Sequence, residues 1–592
     1  MKKKRKISLF TADAISKGEI KRKKSIFGNS DFDFSPRDFF ENLKLERTNF
    51  LKLLPILIMV IFLGRLFQLT IVAGAKNREL SENNRIRLVN IEASRGRILD
   101  RNGKVLAYSE QKYFLNQQSK KVQISDAQRT ELEKEGLAGE NFDGGLGKIT
   151  KEVVRIYPFG PVCAHVLGYT SLVQSADVLK NPSVTSSEFV GRMGVEETYE
   201  GVLRGVDGKE IIEVDSWGKT ISVLSTVDPK PGQDVYLNID ADMQKHAYDA
   251  MTTALTKFKV KSGSLIITNP QNGEVLTLLS FPSFDPADIG KSVTSEDKPL
   301  FNRAIAGNYP PGSVFKIVTS FAGLDSGKIT KDTEIEDVGK FDVGGVTFAN
   351  WYYLTYGGRD GTIKIDKAIA RSNDVFFFKV GQEIGLEQLR KWAILIGFGQ
   401  KTGIDLPGES FGLVPDEKWK AANVGESWFL GDTMHMAIGQ GFMVTTPTQV
   451  NVMTDFVANG GKKVVPHIVA KVLGPNGPIN ISPSGTVNNL DAQNLAVVRQ
   501  GMREACQEGG TAFPFFAVTR YTISCKTGTA EKLQGDPHAW FSAYAPSDFP
   551  QLSITVMIEN GGEGSVVAAP VAKEVLDWYF SQGQNSNVKT QN

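Results

Sequence analysis

The chain has 592 residues, of which 41% are hydrophobic and 23% are charged, a composition typical of a folded protein with several domains. The net charge of +2 is unevenly spread: residues 1–52 hold fourteen Lys or Arg against seven Asp or Glu, so the remainder is slightly acidic. The chain lacks the basic stripe of a nucleic-acid-binding protein, and we expect no nucleic-acid partner.

A long apolar segment follows the basic region. Residues 53–75 form 23 consecutive positions with one charge, Arg65, and about 20 apolar residues suffice to cross a membrane. The segment starts too late for a cleaved signal peptide and lacks a clear small-x-small cleavage site. Because basic flanks stay in the cytoplasm, we predict a cytoplasmic tail over residues 1–52, a single anchor over 53–75 and an extracytoplasmic, periplasmic remainder. Arg65 is expected to reach the membrane surface or to face a partner helix.

The cysteines and histidines indicate no metal site. Cys163, Cys506 and Cys525 form no C-x-x-C pair, and the five histidines are scattered. An extracytoplasmic location would allow a disulfide between Cys506 and Cys525. Free cysteines are common small core residues, so we predict instead that all three pack without bonding. We expect neither a metal nor an organic cofactor.

Proline and glycine divide the exported part after residue 234. Residues 76–234 consist of extended, polar and glycine-rich pieces, which predict an elongated α+β domain. Beyond them, residues 240–258 have the period of an amphipathic helix that begins near Asp240 or Asp242. The sequence Gln-Asn-Gly at 271–273 predicts a hairpin between two strands.

Three strand-like runs lie near the C-terminus, at residues 520–533, 539–546 and 551–560. A helix is predicted over 566–581, and a disordered tail over 583–592. Strands at both ends of this part with helices between them favour one antiparallel sheet flanked by helices, an α/β (α+β) fold.

Ser313, in the sequence YPPGSVFKIVTS, is a candidate nucleophile. Serine is a weak nucleophile and needs an adjacent base. Lys316 lies one helical turn later and would be that base if burial or a neighbouring cation lowers its pKa. The S-x-x-K pattern also occurs at Ser109, Ser216 and Ser295, but only Ser313 opens an apolar helix. Serine at a helix start is often merely a cap, so this motif alone does not decide.

Two further polar segments follow Ser313 in the chain, and their order helps to identify the site. Residues 372–374, Ser-Asn-Asp, form a short turn between apolar residues, and residues 526–528, Lys-Thr-Gly, follow a strand-like run. Other K-[ST]-G matches, at Lys261 and Lys401, precede a strand or lie in a loop. The order S-x-x-K, then a serine triplet, then K-T-G is that of serine penicillin-recognising enzymes.

Longer segments carry a resemblance. They are RGRILDRNGKVLA (95–107), FPSFDPAD (281–288), NRAIAGNYPPGSVFK (302–316), IGQGFMVTTPTQV (438–450), CKTGTAEK (525–532), GDTMHMAIGQG (431–441) and HAWFSAYAP (538–546). From about residue 65 to 580 the chain resembles a class B penicillin-binding protein, and the last two segments are similar to the elongation-type branch. The resemblance implies a transpeptidase domain over 235–582 with a five-stranded antiparallel sheet flanked by helices. It also implies an extended α+β pedestal, or dimerisation-like domain, over 76–234.

The resemblance implies a D,D-transpeptidase that joins peptidoglycan stem peptides. Ser313 would attack the D-Ala-D-Ala carbonyl of the donor, and an amine of the acceptor stem peptide would resolve the acyl-enzyme. The implied catalytic residues are Ser313, Lys316, Ser372, Asp374 and Lys526, and the implied substrate-binding residues are Thr527, Gly528, Thr529 and Asn373. The backbone N–H groups of Ser313 and Thr529 would form the oxyanion hole.

Two features depart from the family pattern. The middle motif is S-x-D rather than the commoner S-x-N, so either Asp374 or the neighbouring Asn373 could face the site. The stretch between Ala107 and Arg155 is short for the family, which predicts a reduced head subdomain.

The resemblance also implies partners and rivals. Expected partners are β-lactams, a membrane-embedded glycan polymerase of the shape, elongation, division and sporulation (SEDS) family, and other membrane proteins of the elongation complex. Alternatives are a division-type transpeptidase, a β-lactamase or D,D-carboxypeptidase, and a β-lactam-binding sensor or scaffold with little turnover.

Overall fold

The structure, a computed structural model, describes residues 47–117, 120–139, 146–180, 189–215, 220–483, 485–532 and 534–589. The chain divides into two units, Met1–Arg85 and Ile86–Asn592. Most of the predicted basic tail lies outside the described residues.

The N-terminal unit is helical. Helix Arg47–Phe67 continues through the π-helical turn Gln68–Val72 and is followed by helix Gly74–Arg85. Residues Leu53–Val72 are apolar and long enough to cross a membrane. The predicted anchor is therefore present as a helix, and it ends three residues before the expected position.

Two sheets build the region that precedes the transpeptidase-like part. A three-stranded sheet pairs Ile86–Ile91 with Gly208–Val214 and Thr220–Val227. The larger, eight-stranded sheet has a path of seven strands with an eighth paired to one of them. The path runs Gly477–Asn480, Val469–Gly474, Val235–Leu237, Ile98–Leu99, Val105–Gln117, Gly147–Ile156 and Ala138–Gly139, and Lys120–Ile124 pairs with Val105–Gln117.

The larger sheet crosses the boundary predicted after residue 234. Val469–Gly474 pairs antiparallel with Val235–Leu237, which pairs parallel with Ile98–Leu99. Two strands from late in the chain thus complete a sheet that begins in the pedestal. Between Ala107 and Arg155, where we expected a reduced head, a small cluster of Leu115, Ile124, Ala138 and Ile149 forms a separate core.

A third sheet, of five strands, confirms the five-stranded sheet predicted for the transpeptidase part. Its order is Val275–Phe281, Gly263–Thr268, Leu552–Ile558, His538–Ala545 and Ser524–Ala530. Every pair is antiparallel. All five strands lie within or next to the predicted runs, and the hairpin turns at Gly273, whose φ of +83° favours glycine.

Helices pack on both faces of this sheet. The α-helices after residue 120 are Asp126–Lys134, Ala164–Leu167, Ser175–Lys180, Gly194–Thr198, Glu200–Leu203, Ala241–Phe258, Gly290–Val293, Arg303–Ala306, Lys316–Asp325, Trp351–Tyr356, Ile365–Arg371, Asp374–Ile396, Glu417–Asn423, Leu430–Ala437, Pro447–Ala458, Ala492–Ala505 and Gly564–Lys589. Short 3₁₀ helices span Gly160–Val162 and Gly312–Phe315. Small two-stranded sheets pair Thr170–Leu172 with Phe189–Gly191, Ile335–Asp337 with Gly361–Ile363, Lys340–Val343 with Val346–Ala349, and Lys462–Lys463 with Thr486–Val487.

Two helix ends test the sequence interpretation. Asp240 is the cap of Ala241–Phe258, since its carboxylate accepts from the backbone N–H groups of Asp242 and Met243 at 3.1 and 3.0 Å. The last helix runs to Lys589, beyond residue 581, where we expected it to end and a disordered tail to follow.

The sheet separates two apolar cores. Alternate residues of one strand point to opposite sides, so Trp540 belongs to one core and Phe541 to the other. The first core also contains Phe321 of helix Lys316–Asp325, which fixes that helix against the sheet. The candidate nucleophile therefore stands on a rigid, fully packed element.

The prediction of free cysteines is wrong for two of the three. Cys506 and Cys525 form a disulfide, with Cα atoms 6.0 Å apart. Cys506 ends helix Ala492–Ala505, which packs beside strand Ser524–Ala530, so the two thiols meet although 19 residues separate them. Cys163 is free and buried, as expected.

Candidate active site

Ser313 lies inside a 3₁₀ turn rather than at a helix cap. The turn Gly312–Phe315 leads directly into helix Lys316–Asp325, and neither start has a side-chain cap. A Cβ on Gly312, whose φ is +56°, would lie 2.8 Å from the Thr529 carbonyl oxygen, so glycine is required there. The half-buried Ser313 hydroxyl has no hydrogen-bond partner among the described residues. The alternative that Ser313 merely caps a helix is thus excluded.

Lys316 is fully buried and points at the middle motif. Its Nζ donates to the Ser372 carbonyl oxygen at 2.6 Å, to the Ser372 hydroxyl at 3.3 Å and to Asp374 Oδ1 at 2.6 Å. An ammonium group has three donors. The structure therefore brings two of the predicted site residues, Ser372 and Asp374, to Lys316.

The pKa of Lys316 is lowered from its ordinary value. Burial is the largest cause because it penalises the charged ammonium, and the Asp374 carboxylate opposes it without cancelling it. A lowered pKa increases the fraction of the lysine that is neutral at a given pH, and only a neutral amine can take a proton from a serine.

The middle motif turns sharply between two helices. Ser372 follows helix Ile365–Arg371 in the left-handed conformation, with φ of +54°. Asp374 begins the next helix, and its second carboxylate oxygen accepts from the backbone N–H of Trp351 at 2.9 Å. Both carboxylate oxygens are thereby fixed, one by Lys316 and one by the main chain.

The structure does not bring Asn373 to the site, so its predicted substrate-binding role is not supported. Asn373 Nδ2 donates to Asp337 Oδ2 at 2.7 Å and to Asp360 Oδ2 at 2.9 Å, and Asn373 Oδ1 accepts from Phe376 N at 2.8 Å. The bond from Phe376 N is the N-cap of helix Asp374–Ile396, and the other two hold the amide nitrogen against carboxylates. Of the two alternatives left open by the sequence, Asp374 is the residue that contacts Lys316.

Lys526 is buried beside Lys316 in the strand Ser524–Ala530. Its Nζ donates to the Thr527 carbonyl oxygen at 2.9 Å. Burial holds the pKa of Lys526 well below its ordinary value, the nearby Lys316 ammonium lowers it further, and Asp374 opposes both. The site thus contains two electrostatically linked lysines and one carboxylate.

The remaining K-T-G residues line the same strand. Thr527 shares a 2.7 Å hydrogen bond between hydroxyls with Thr511, a residue that no sequence motif indicated. A Cβ on Gly528 would lie 2.9 Å from the Trp540 Cβ, so the strand approaches its neighbour too closely for a larger residue. Thr529 is half-buried and borders the nucleophile turn through its carbonyl oxygen.

Other polar residues near the site are held by packing or by hydrogen bonds away from Lys316. Trp540 is fully buried and its Nε1 donates to the Pro310 carbonyl oxygen at 3.1 Å. Asp432 accepts from Lys420 Nζ and from the Phe429 backbone N–H, both at 2.7 Å. Burial lowers the pKa of His538 to about 4, so this ring is neutral at pH 7. Within the described ranges there is no group of three or more His, Cys, Asp or Glu placed to hold a metal ion.

This arrangement is suited to acyl transfer. A free hydroxyl at a helix start lies one turn before a buried lysine of lowered pKa, and a second lysine is available for the leaving group. Backbone N–H groups near Ser313 stand where the helix dipole favours a developing negative charge.

Comparison with known proteins finds a family match for each of the two parts that follow the apolar helix. Residues 263–577 match the family model described as penicillin binding protein transpeptidase domain, and residues 140–237 match the penicillin-binding protein dimerisation domain. The chain is 31% identical to the peptidoglycan D,D-transpeptidase MrdA of Acinetobacter baumannii, over 86% of this chain and 84% of that protein. It is 29% identical to the MrdA of Escherichia coli, over 91% of this chain and 94% of that protein.

Solved structures agree. One match is a chain in a structure of a peptidoglycan synthase complex, described as coordinating polymerisation and crosslinking. The two chains are 28% identical with a TM-score of 0.73, and the match covers 90% of this chain and 97% of that chain. The penicillin-binding protein PBP2 of Helicobacter pylori, solved in complex with MreC, has TM-score 0.72 and 28% identity and covers 84% of this chain and 99% of its own length. The transpeptidase model alone spans more than half of this chain, and every predicted catalytic residue lies within it. The chain therefore belongs to the penicillin-binding proteins, in the class B, elongation-type branch that its motifs predicted.

Proposed function

We propose that this protein is a peptidoglycan D,D-transpeptidase that cross-links stem peptides through an acyl-Ser313 intermediate during cell-wall elongation. One observation carries the proposal: buried Lys316, one turn after Ser313, contacts both Ser372 and Asp374. Relatives of matching length bear the name peptidoglycan D,D-transpeptidase, which supports the same reaction.

Acylation would use these residues as follows. Neutral Lys316 takes the proton of Ser313, and Ser313 Oγ attacks the carbonyl carbon of the penultimate D-Ala. The backbone N–H groups of Ser313 and Thr529 stabilise the oxyanion, and such a donor contributes roughly 3 kcal/mol. The C–N bond then breaks, and Ser372 with Lys526 delivers a proton to the departing D-Ala amine.

Substrate binding would depend on the K-T-G strand. The donor peptide ends in a carboxylate, and the hydroxyl groups of Thr527 and Thr529 would donate hydrogen bonds to it. In its protonated form Lys526 would make the local potential positive, which favours this anion. An amine of the acceptor stem peptide then attacks the acyl-serine ester and restores the free hydroxyl. A β-lactam would acylate the same serine and leave slowly.

The protein is a membrane-anchored member of its family, and we assign its orientation from charge. The basic residues 1–52 would stay cytoplasmic, and the catalytic domain would face the periplasm. The stem peptides are attached to a polymerised glycan, so a membrane-embedded polymerase of the SEDS family is the expected partner. The MreC complex of a relative supports contacts with other membrane proteins of the elongation machinery.

A labelled penicillin tests the assignment of Ser313. We expect covalent labelling of the full chain in detergent, and its complete loss in Ser313→Ala. Ser295→Ala is the matched control because Ser295 also begins an S-x-x-K pattern but lies in a loop outside the site. Labelling that persists in Ser313→Ala would remove Ser313 as the nucleophile.

The lifetime of the adduct separates this function from its rivals. A transpeptidase without its acceptor should hold the penicilloyl group for hours, whereas a β-lactamase would release it within seconds. A sensor or scaffold would hold the adduct but would form no cross-linked product from stem peptides.

A further inference from the structure

A buried polar cluster lies behind the middle motif. We name it the Asp337 cluster; its members are Asp337, Asn350, Asp360 and Asn373. The Asp337 side chain is 1% exposed, and Asn350 and Asn373 are fully buried. Among the described residues, none of these four has a hydrogen bond or an ion pair with Lys316 or Ser313, so the reaction proposed above leaves the cluster without a role.

Asp337 is the centre of the cluster. One carboxylate oxygen accepts from Gly339 N at 2.7 Å. The other accepts from Asn350 Nδ2 at 2.8 Å, Asn373 Nδ2 at 2.7 Å and Asp360 N at 3.0 Å. All four contacts are donors, which is the environment that an ionised carboxylate requires because it only accepts. A buried group with this many bonds fixes its neighbours in place.

The cluster is bonded directly to the catalytic turn. Asn350 Oδ1 accepts from the backbone N–H of Asp374 at 3.2 Å, and the next residue, Trp351, donates its backbone N–H to Asp374 Oδ2. Asn373 stands between Ser372 and Asp374 in the chain. Asp337 therefore holds the motif at two points, through Asn350 and through Asn373.

The motif needs such support because Ser372 is strained. A φ of +54° is sparsely populated by residues other than glycine and costs about 1 kcal/mol or more. In this conformation both the carbonyl oxygen and the hydroxyl of Ser372 reach Lys316 Nζ. A relaxed backbone would turn at least one of them away from the lysine.

We propose that Asp337 is a positioning residue: through Asn350 and Asn373 it keeps Ser372 left-handed and Asp374 in contact with Lys316. The inference deepens the proposed function and rests on it. Asp337 does not touch substrate; it sets the geometry, and through Asp374 the protonation, of the general base. The S-x-D motif of this chain thus works as part of a larger unit that begins 35 residues before Ser372.

The test is the rate of acylation by a labelled penicillin in Asp337→Asn, an isosteric change that places an NH₂ group against existing donors. We expect the second-order rate constant to fall about 10- to 100-fold, since a buried bond network is broken. The acid limb of the pH–rate profile should move to lower pH because Lys316 loses part of its contact with Asp374. Glu336→Gln is the matched control: it removes the same charge from an exposed neighbouring side chain and should leave rate and profile unchanged.

A double-mutant cycle separates positioning from general damage to the fold. Because Asp337 acts through both Ser372 and Asp374, the loss in Asp337→Asn combined with Asp374→Asn should be smaller than the product of the two single losses. Losses that multiply, or a wild-type rate and pH profile in Asp337→Asn, would overturn the proposal. If Asp337→Asn does not fold, Asn350→Ala removes one of the two links, and an unchanged rate there overturns it equally. Failure of the proposed function itself would appear separately, as covalent labelling that persists in Ser313→Ala.

Discussion

At the scale of single residues, the candidate active site contains two buried lysines and one carboxylate. Lys316 and Lys526 both have lowered pKa values, for which burial is the largest cause, and Asp374 opposes the effect on each. The carboxylate therefore does more than orient Lys316: it limits how far the pKa of this base falls. That balance leads to a prediction about pH.

Asp374→Asn should shift the pH dependence of acylation. Asp374 raises the pKa of Lys316, so its removal lowers that pKa further and moves the acid limb of the acylation profile to lower pH. The plateau rate should also fall by about 10- to 100-fold because a charge-assisted bond to Lys316 is lost. Stopped-flow acylation across pH measures both effects. Glu383→Gln, an exposed acid on the same helix, is the control, and an acid limb that moves to higher pH would contradict the account.

A second buried carboxylate, remote from the chemistry, should make stability depend on pH. Asp455 is fully buried beneath the five-stranded sheet, and burial raises its pKa to about 7 against the pull of hydroxyls from Ser553 and Thr268. In the unfolded chain an Asp has a pKa of about 3.9. The stabilising, protonated form is thus fully present below about pH 4 and is lost as pH rises through about 7.

Asp455→Asn removes this titration while it keeps an acceptor for the Thr268 hydroxyl. Between about pH 5 and pH 8 the stability of the variant relative to wild type should increase by up to about 3 kcal/mol. Thermal unfolding at several pH values measures the difference. Asp536→Asn, at an exposed position, should show no such trend, and a difference between Asp455→Asn and wild type that is constant with pH would refute the prediction.

At the scale of elements, the strand Ser524–Ala530 is the most constrained part of the site. It pairs with His538–Ala545 and it borders the nucleophile turn at Gly312. The disulfide from Cys525, immediately before Lys526, ties it to the end of helix Ala492–Ala505. The K-T-G residues are thus held from three sides.

Loss of the disulfide should destabilise this element. The bond closes a loop between residues 19 apart, and a loop of this size is worth about 3 kcal/mol. We expect reductant to lower the melting temperature of the wild-type protein but not that of the double variant Cys506→Ala, Cys525→Ala. The prediction would be contradicted if the wild-type protein melted at the same temperature with and without reductant although a thiol reagent showed that both cysteines had been reduced.

Local patterns predicted the elements well and their distant contacts poorly. The period of residues 240–258, the Gln-Asn-Gly turn and the three late strands are written in short windows, so helices, hairpin and sheet were accessible from the sequence. Ser313, Lys316 and Lys526 were found because each belongs to a short motif. The sequence could not decide between Asn373 and Asp374. Which of the two side chains faces Lys316 depends on the left-handed backbone of Ser372, which no motif predicts.

Residues that act across the fold escaped the sequence altogether. Asp337 and Asn350 lie outside every motif, 36 and 23 residues before Asn373, and only the folded chain brings them together. Thr511 meets Thr527 in the same way. The disulfide was misjudged for a related reason: its formation depends on a helix end packing beside one strand, which no spacing of cysteines reveals.

At the scale of the whole unit Ile86–Asn592, the pedestal and the transpeptidase part share one sheet. Strands Val469–Gly474 and Gly477–Asn480 belong to the pedestal sheet although they lie between catalytic segments in sequence. Buried Glu196 accepts from Arg95 and Arg155 at 2.6 and 2.7 Å, which explains part of the RGRILDRNG segment. Burial would raise the pKa of Glu196, but the two guanidinium groups outweigh it and lower that pKa.

The shared sheet joins the pedestal firmly to the transpeptidase part, unlike two domains connected only by a flexible linker. Asp100, in the same segment, accepts from the backbone N–H of Ala241 at 3.1 Å, at the start of helix Ala241–Phe258. A contact made on the pedestal by a membrane partner therefore acts on a body that is continuous with the catalytic sheet. This continuity is consistent with the proposed work of the protein beside a glycan polymerase.

The central claim is that this chain joins stem peptides through Ser313, and product analysis tests it most directly. The full-length protein is combined with a SEDS-family polymerase and lipid-linked precursor, and the muropeptides are analysed by mass spectrometry. We predict cross-linked dimers that have lost one D-Ala, abolished by penicillin and by Ser313→Ala but retained in Ser295→Ala. Polymer whose stem peptides are trimmed of D-Ala without any cross-link, or dimers that persist in Ser313→Ala, would contradict the account.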